Sequence, residues 1–153
     1  MAHTIVCTAR VPAWMQGQVE SLLFFNLGQE RIRDEIAATI ERYGIPELVA
    51  EDGWLRVDVA GVSDVQTLYA MHEEDARSRA VGVVVYAREG YDRFTVLHVG
   101  VADDYAQGGP YASERVLSRL LQQIRHLARQ TAGVRHVEVA YRRNRLRAAR
   151  AMA

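Results

Sequence analysis

Apolar and polar positions change period several times along this chain, and each change marks an expected element. Thr4–Val11 alternates, with Ile5, Cys7 and Ala9 against Thr4, Val6 and Thr8, which predicts a strand. Pro12 stops it and suits the start of a helix over Ala13–Leu27, whose apolar stripe is Trp14, Val19, Leu22, Leu23 and Phe25. Gly28 breaks the pattern. A second helix is expected from Gln29 to Tyr43, with Ile32, Ile36, Ile40 and Tyr43 on one face. Gly44 stops that helix, with Pro46 just beyond.

Period 2 then returns. After the polar turn Glu51-Asp52-Gly53, Leu55–Val59 alternates cleanly, and Thr67–Glu73 is a second candidate strand. Asp75–Arg79 reads as a charged hairpin loop, and Ala80–Arg88, with Val83-Val84-Val85, as a strand buried on both faces. Glu89–Asp92 is a tight turn into the strand Phe94–Val101. Helical spacing resumes from Pro110 to about Ala132, in Val116, Leu117, Leu120, Leu121, Ile124, Leu127 and Ala128. Gly133 ends it, Val134–Tyr141 is a last strand, and Arg142–Ala153 reads as the start of another helix. The order is strand, two helices, four strands in meander, long helix, strand. It predicts one α/β (α+β) domain over 1–153, with a mixed, mainly antiparallel sheet flanked by helices.

Composition narrows the classes. A chain of 153 residues, 49% hydrophobic and 25% charged, has room for one domain with a real core. Its densest apolar run, Val81–Ala87, is far below the ~20 residues that span a bilayer, so no membrane partner is expected. No basic segment leads into a long apolar stretch at the N-terminus, and Cys7 is the only cysteine; both point to a cytoplasmic location. Cys7 itself reads as a buried structural thiol. The five histidines show no paired metal-ligand spacing, and no metal is expected.

A net charge of zero conceals an asymmetry. Residues 1–113 carry 17 acidic residues against 9 arginines, and residues 114–153 carry 10 arginines against Glu114 and Glu138. Every basic residue is arginine, the side chain suited to bidentate phosphate or carboxylate contacts. The alternative is a basic face that neutralises the acidic half, within one chain or across a dimer.

Candidate chemistry concentrates in Phe94–Arg129, a strand feeding a helix through Gly108-Gly109. Such a junction aims backbone N–H groups at one spot and suits a phosphate-bearing cofactor. The segment Val99-Gly-Val-Ala-Asp-Asp-Tyr105-Ala-Gln-Gly-Gly109-Pro-Tyr-Ala112, with the element order, resembles the GCN5-related N-acetyltransferase (GNAT) superfamily. In that family a central strand ends in a bulge whose backbone holds the pantetheine arm of acetyl-CoA. A loop Arg/Gln-x-x-Gly-x-Gly/Ala then wraps the pyrophosphate. Val101 and Tyr105 fall on the family's lead-in and Gly109 on its central glycine, while Ala106 and Tyr111 depart from the pattern. Shifting the frame by one recovers Gln107 and Ala112 but places Pro110 on the glycine.

The resemblance implies an acetyl-CoA-binding protein, an N-acetyltransferase acting on a small or peptidic amine. Val99, Val101, Gln107, Gly108, Gly109, Pro110, Tyr111 and Ala112 would hold the cofactor. Asn144, in a run similar to the family's Asn-x-x-Ala, would lie near the pantetheine arm. The amine must lose a proton, and His98, Glu73, Glu74 and His72 are the candidate bases; Tyr141 is a candidate acid. The family's own tyrosine acid and two further strands would fall beyond Ala153. An inactive GNAT-like module that dimerises over the resulting open sheet edge is the alternative. A third reading is a nucleic-acid accessory protein using Arg142, Arg143, Arg145, Arg147 and Arg150.

Overall fold

The computed structural model describes residues 4–24 and 33–140. The first strand, β1, spans Thr4–Thr8. A single 3-10 turn at Ala13–Met15 leads into α1, Gln16–Phe24, and α2 spans Arg33–Tyr43. Then follow β2 (Pro46–Glu51), β3 (Trp54–Val59), β4 (Gln66–Glu74), β5 (Arg77–Glu89), β6 (Arg93–Val101), α3 (Val116–Gln130) and β7 (His136–Val139). The five-stranded sheet has the order β1-β4-β5-β6-β7; every pair is antiparallel except β6–β7, which is parallel. The fold is therefore mixed α/β around a mainly antiparallel sheet.

Each face of the sheet carries its own core. On one face Val19, Leu22 and Leu23 of α1, with Met15 and Tyr43, pack against Tyr69, Met71, Val83, Val85 and Leu97. On the other, Val116, Leu120, Ile124 and Ala128 of α3 recur every fourth residue and bury against Leu68, Ala70, Val81, Val84 and Val96. Gly82 permits that approach, because a Cβ there would lie 2.6 Å from Val116 Cγ1 and 2.9 Å from Leu120 Cδ1. No helix among the described residues is long and apolar enough to cross a membrane.

Several expected boundaries move, each for a local reason. The expected meander of four strands separates: β3 leaves the main sheet and pairs with β2 through the two-residue turn Asp52-Gly53, both with positive φ. β2 carries no alternating pattern and begins at Pro46, a position that needs no ladder donor. The expected loop Asp75–Arg79 shrinks to Asp75-Ala76, also left-handed at both residues, so that Arg77, Ser78 and Arg79 belong to β5. Trp14, expected in an apolar stripe, is 68% exposed on the 3-10 turn. The last strand is shorter than Val134–Tyr141, with only His136–Val139 paired.

The long helix begins at Val116 rather than Pro110. Arg115 has φ 52°, outside right-handed helix, so residues before it cannot continue α3. They form instead two 3-10 turns, Asp103–Tyr105 and Ala112–Glu114. The expected elements over 25–32 and 142–153 lie outside the described residues.

Candidate functional site

A single inserted residue organises β6. Val85 faces His98 and Tyr86 faces Val96, so Leu97 is an extra residue in the ladder, a β-bulge. Side chains opposite one another share a face, and this fixes the consequence. Leu97 packs in the α1 core, and His98 stands opposite Val85, which belongs to that same core. Val96 and Val99 both fall on the α3 side. Parallel pairing with β7 ends at Val96–Val139, at the bulge. Among the described residues, no strand pairs with Leu97–Val101 on the side away from β5. Val99 and Val101 are half-buried there.

The bulge also decides what His98 can do. Its ring is 4% exposed and makes a hydrogen bond to the Gly44 backbone just after α2. Burial pushes its pKa down to about 4, which the Gly44 contact only partly offsets. His98 is thus a neutral imidazole at pH 7, on the face opposite α3. Glu73 is exposed near the far end of β4, opposite Thr4 and Ser78. His98 is in register with Val85 and, through it, with Thr67; Glu73 lies six residues further along β4, roughly 20 Å away. These two candidate bases are not brought together. Tyr141 and Asn144 lie outside the described residues.

Beyond Val101 the chain folds back on the β4–β5 hairpin. Gly109 N–H donates to Ala106 O, Tyr111 N–H to Asp104 O, and Ala112 N–H to Gly109 O, at 2.9, 2.8 and 3.2 Å. These three donors, on residues expected to hold the cofactor, satisfy carbonyls of their own loop. A Cβ on Gly109 would lie 2.7 Å from the carbonyl oxygens of both Asp103 and Asp104, so this glycine permits close chain packing. Gly108 has φ +86° with open space around it, and Gln107 is exposed beside it. Pro110 lies in the turn between them and Tyr111.

Side chains of that loop build a polar and aromatic cluster on the hairpin. Tyr105 is buried, and its hydroxyl hydrogen-bonds His72 Nδ1; His72 Nε2 stands 3.3 Å from Glu74 Oε2. Tyr111 stacks on Tyr105 with centroids 4.9 Å apart. Arg79 donates from both terminal nitrogens to Asp104, at 2.8 and 2.7 Å. That contact holds the Asp104 carboxyl below its ordinary range, while burial raises the Tyr105 hydroxyl. Gln18, His72, Glu74, Asp75, Arg77, Ser78 and Arg79 line an adjoining groove of about 720 Å³.

Sequence reasoning reached His72 and Glu74 as candidate bases and Tyr105 as an aromatic lead-in, but not the Arg79–Asp104 pair. The available signal was the alternation of Arg77 and Arg79 around Ser78, which extends β5 back to a two-residue turn. Cys7 is half-buried, and burial raises its thiol pKa, with Arg119 opposing. Among the described residues no group of three or more His, Cys, Asp or Glu is arranged to hold a metal ion. Comparison with family models, with curated proteins and with solved structures gives no match for this chain.

Proposed function

We propose that this chain is a GNAT-like domain that binds an acyl-CoA thioester, with the pantetheine arm lying along the outer edge of β6 at Val99–Val101. The observation that carries the reading is the coincidence at Leu97: the bulge falls where parallel pairing with β7 stops. Backbone N–H and C=O groups beyond it can take an extended, amide-containing ligand in place of a strand. Pantetheine has that chemistry, with two amides on a flexible chain. The loop after Val101 then lies at the end where the diphosphate would follow. Acetyl-CoA should raise the unfolding free energy by about 2.7 kcal/mol at a hundredfold excess over its dissociation constant. A thermal melt unchanged by millimolar acetyl-CoA would refute the proposal.

The placement of His98 favours a second reading, a domain that binds the thioester without transferring its acyl group. A neutral imidazole buried against Gly44 is not presented to an amine on the open edge. Thiol release from acetyl-CoA with a panel of amines separates the two readings. Binding without thiol release identifies the module; release that survives His98→Gln identifies an enzyme with a different base.

A further inference from the structure

Arg79 and Asp104 come from different elements, β5 and the loop after β6, and meet as a two-pronged guanidinium–carboxylate pair. A guanidinium fork in this orientation matches a phosphate as well as a carboxylate. The Gly109 backbone packs against the carbonyl oxygens of Asp103 and Asp104, so the glycine turn is held to the backbone of the residue that fills the fork, and space around Gly108 is open. Arg77, two residues before Arg79 on β5, lines the same groove. Where the family resemblance expects Arg or Gln, Ala106 supplies neither charge nor donor.

We propose that Arg79 is an anion-binding residue for the diphosphate of the ligand, masked by Asp104, whose carboxylate occupies the guanidinium fork until the diphosphate replaces it. The inference rests on the acyl-CoA reading above. Both side chains are partly exposed, so the resident pair contributes little to stability and exchange of one anion for another costs little. Tyr105 is buried and bonded to His72, so it anchors the loop while the Asp104 side chain swings away. Gly108 keeps its part of the turn open, while the stacked Tyr105 and Tyr111 rings flank the Arg79 side.

The test is calorimetric titration of the full chain with acetyl-CoA, S-acetylpantetheine and inorganic pyrophosphate. Asp104→Asn, near-isosteric and uncharged, should tighten acetyl-CoA about fivefold, the scale of one partly exposed ion pair. It should leave S-acetylpantetheine, which has no diphosphate, unchanged. Arg79→Ala should weaken acetyl-CoA, and in the double variant the gain from Asp104→Asn should vanish. Asp104→Ser, checked by its melting curve, guards against a folding artefact of the first variant. Asp104→Asn binding acetyl-CoA no tighter than the unmodified chain, or Arg79→Ala binding it equally well, overturns the mask. If no form binds acetyl-CoA, the acyl-CoA reading fails separately. The anion site then stands only on Arg79-dependent binding of pyrophosphate by Asp104→Asn, and its absence overturns that too.

Discussion

Over Arg93–Val96, β6 has a strand on each side, β5 antiparallel and β7 parallel; over Leu97–Val101 it has β5 alone among the described residues. The first half is closed, with Thr95 fully buried and Phe94 and Val96 locked against α3. The second half keeps its ladder to β5 yet leaves Val99 and Val101 half-buried. Each half mixes apolar and polar residues, Arg93-Phe-Thr-Val96 against Leu97-His-Val-Gly-Val101, and nothing in that composition predicts which half has a second neighbour. One extra residue marks the boundary: Leu97 shifts the register, and among the described residues pairing with β7 ends at the same place. The bulge turns His98 to the α1 side of the sheet and coincides with the end of the described pairing with β7.

That contrast is open to attack at several points. The strongest blow is Leu97→Ala, which removes a fully buried side chain at the bulge and should cost about 3 kcal/mol in urea denaturation. A cost near zero would mean that the bulge is not held by the α1 core. Next comes His98. Its folded-state pKa of about 4 lies below the ordinary histidine value near 6.5, so the unfolded chain binds the proton first. Stability should be full above pH 6.5 and fall by about 3 kcal/mol as pH drops from 6.5 towards 4. His98→Gln should flatten that part of the profile; an unchanged slope would show that His98 is not the buried neutral group.

A smaller effect is expected where the α3 core meets β5. Gly82→Val drives a side chain into Val116 and Leu120 and should cost about 2 kcal/mol. Because Gly82 is paired with Val101, it should also disturb any ligand on the second half of β6 while sparing amide-exchange protection over Arg93–Val96. Equal loss of protection in both halves would erase the distinction. The least change is Ala76→Gly. Ala76 sits at φ 65° in the β4–β5 turn, and glycine there should stabilise by about 0.5 kcal/mol in the same urea assay. Its melting temperature should rise with no change in either half of β6.

Legibility in the sequence followed the strength of the local pattern. The core of α3 was readable because Val116, Leu120, Ile124 and Ala128 recur at helical spacing, and β5 because Val83-Val84-Val85 is buried on both sides. The start of α3 was not, since Pro110 is a good helix opener and nothing local announces a left-handed Arg115. β2 was invisible for the opposite reason: its six residues carry no period, and pairing with β3 alone makes it a strand. Of the site, Gly108-Gly109 and Tyr105 were visible as a turn with an aromatic lead-in. The destinations of their N–H groups and of the Tyr105 hydroxyl were not, because those partners lie elsewhere in the loop and on β4.

What the chain determined by itself is local: which segments bury one face or two, where glycine and proline interrupt them, and that a mixed α/β fold with a mainly antiparallel sheet results. Period and turn chemistry act over a few residues, so they can be read in order. Only the tertiary structure decided that β3 leaves the main sheet, that Leu97 is inserted in the ladder, that His98 faces away from α3, and that Arg79 meets Asp104. Each of these depends on the register between strands or on a contact between segments far apart in sequence. A one-residue shift in register exchanges the faces of every residue beyond it. No single segment carries that information, because it belongs to the pairing.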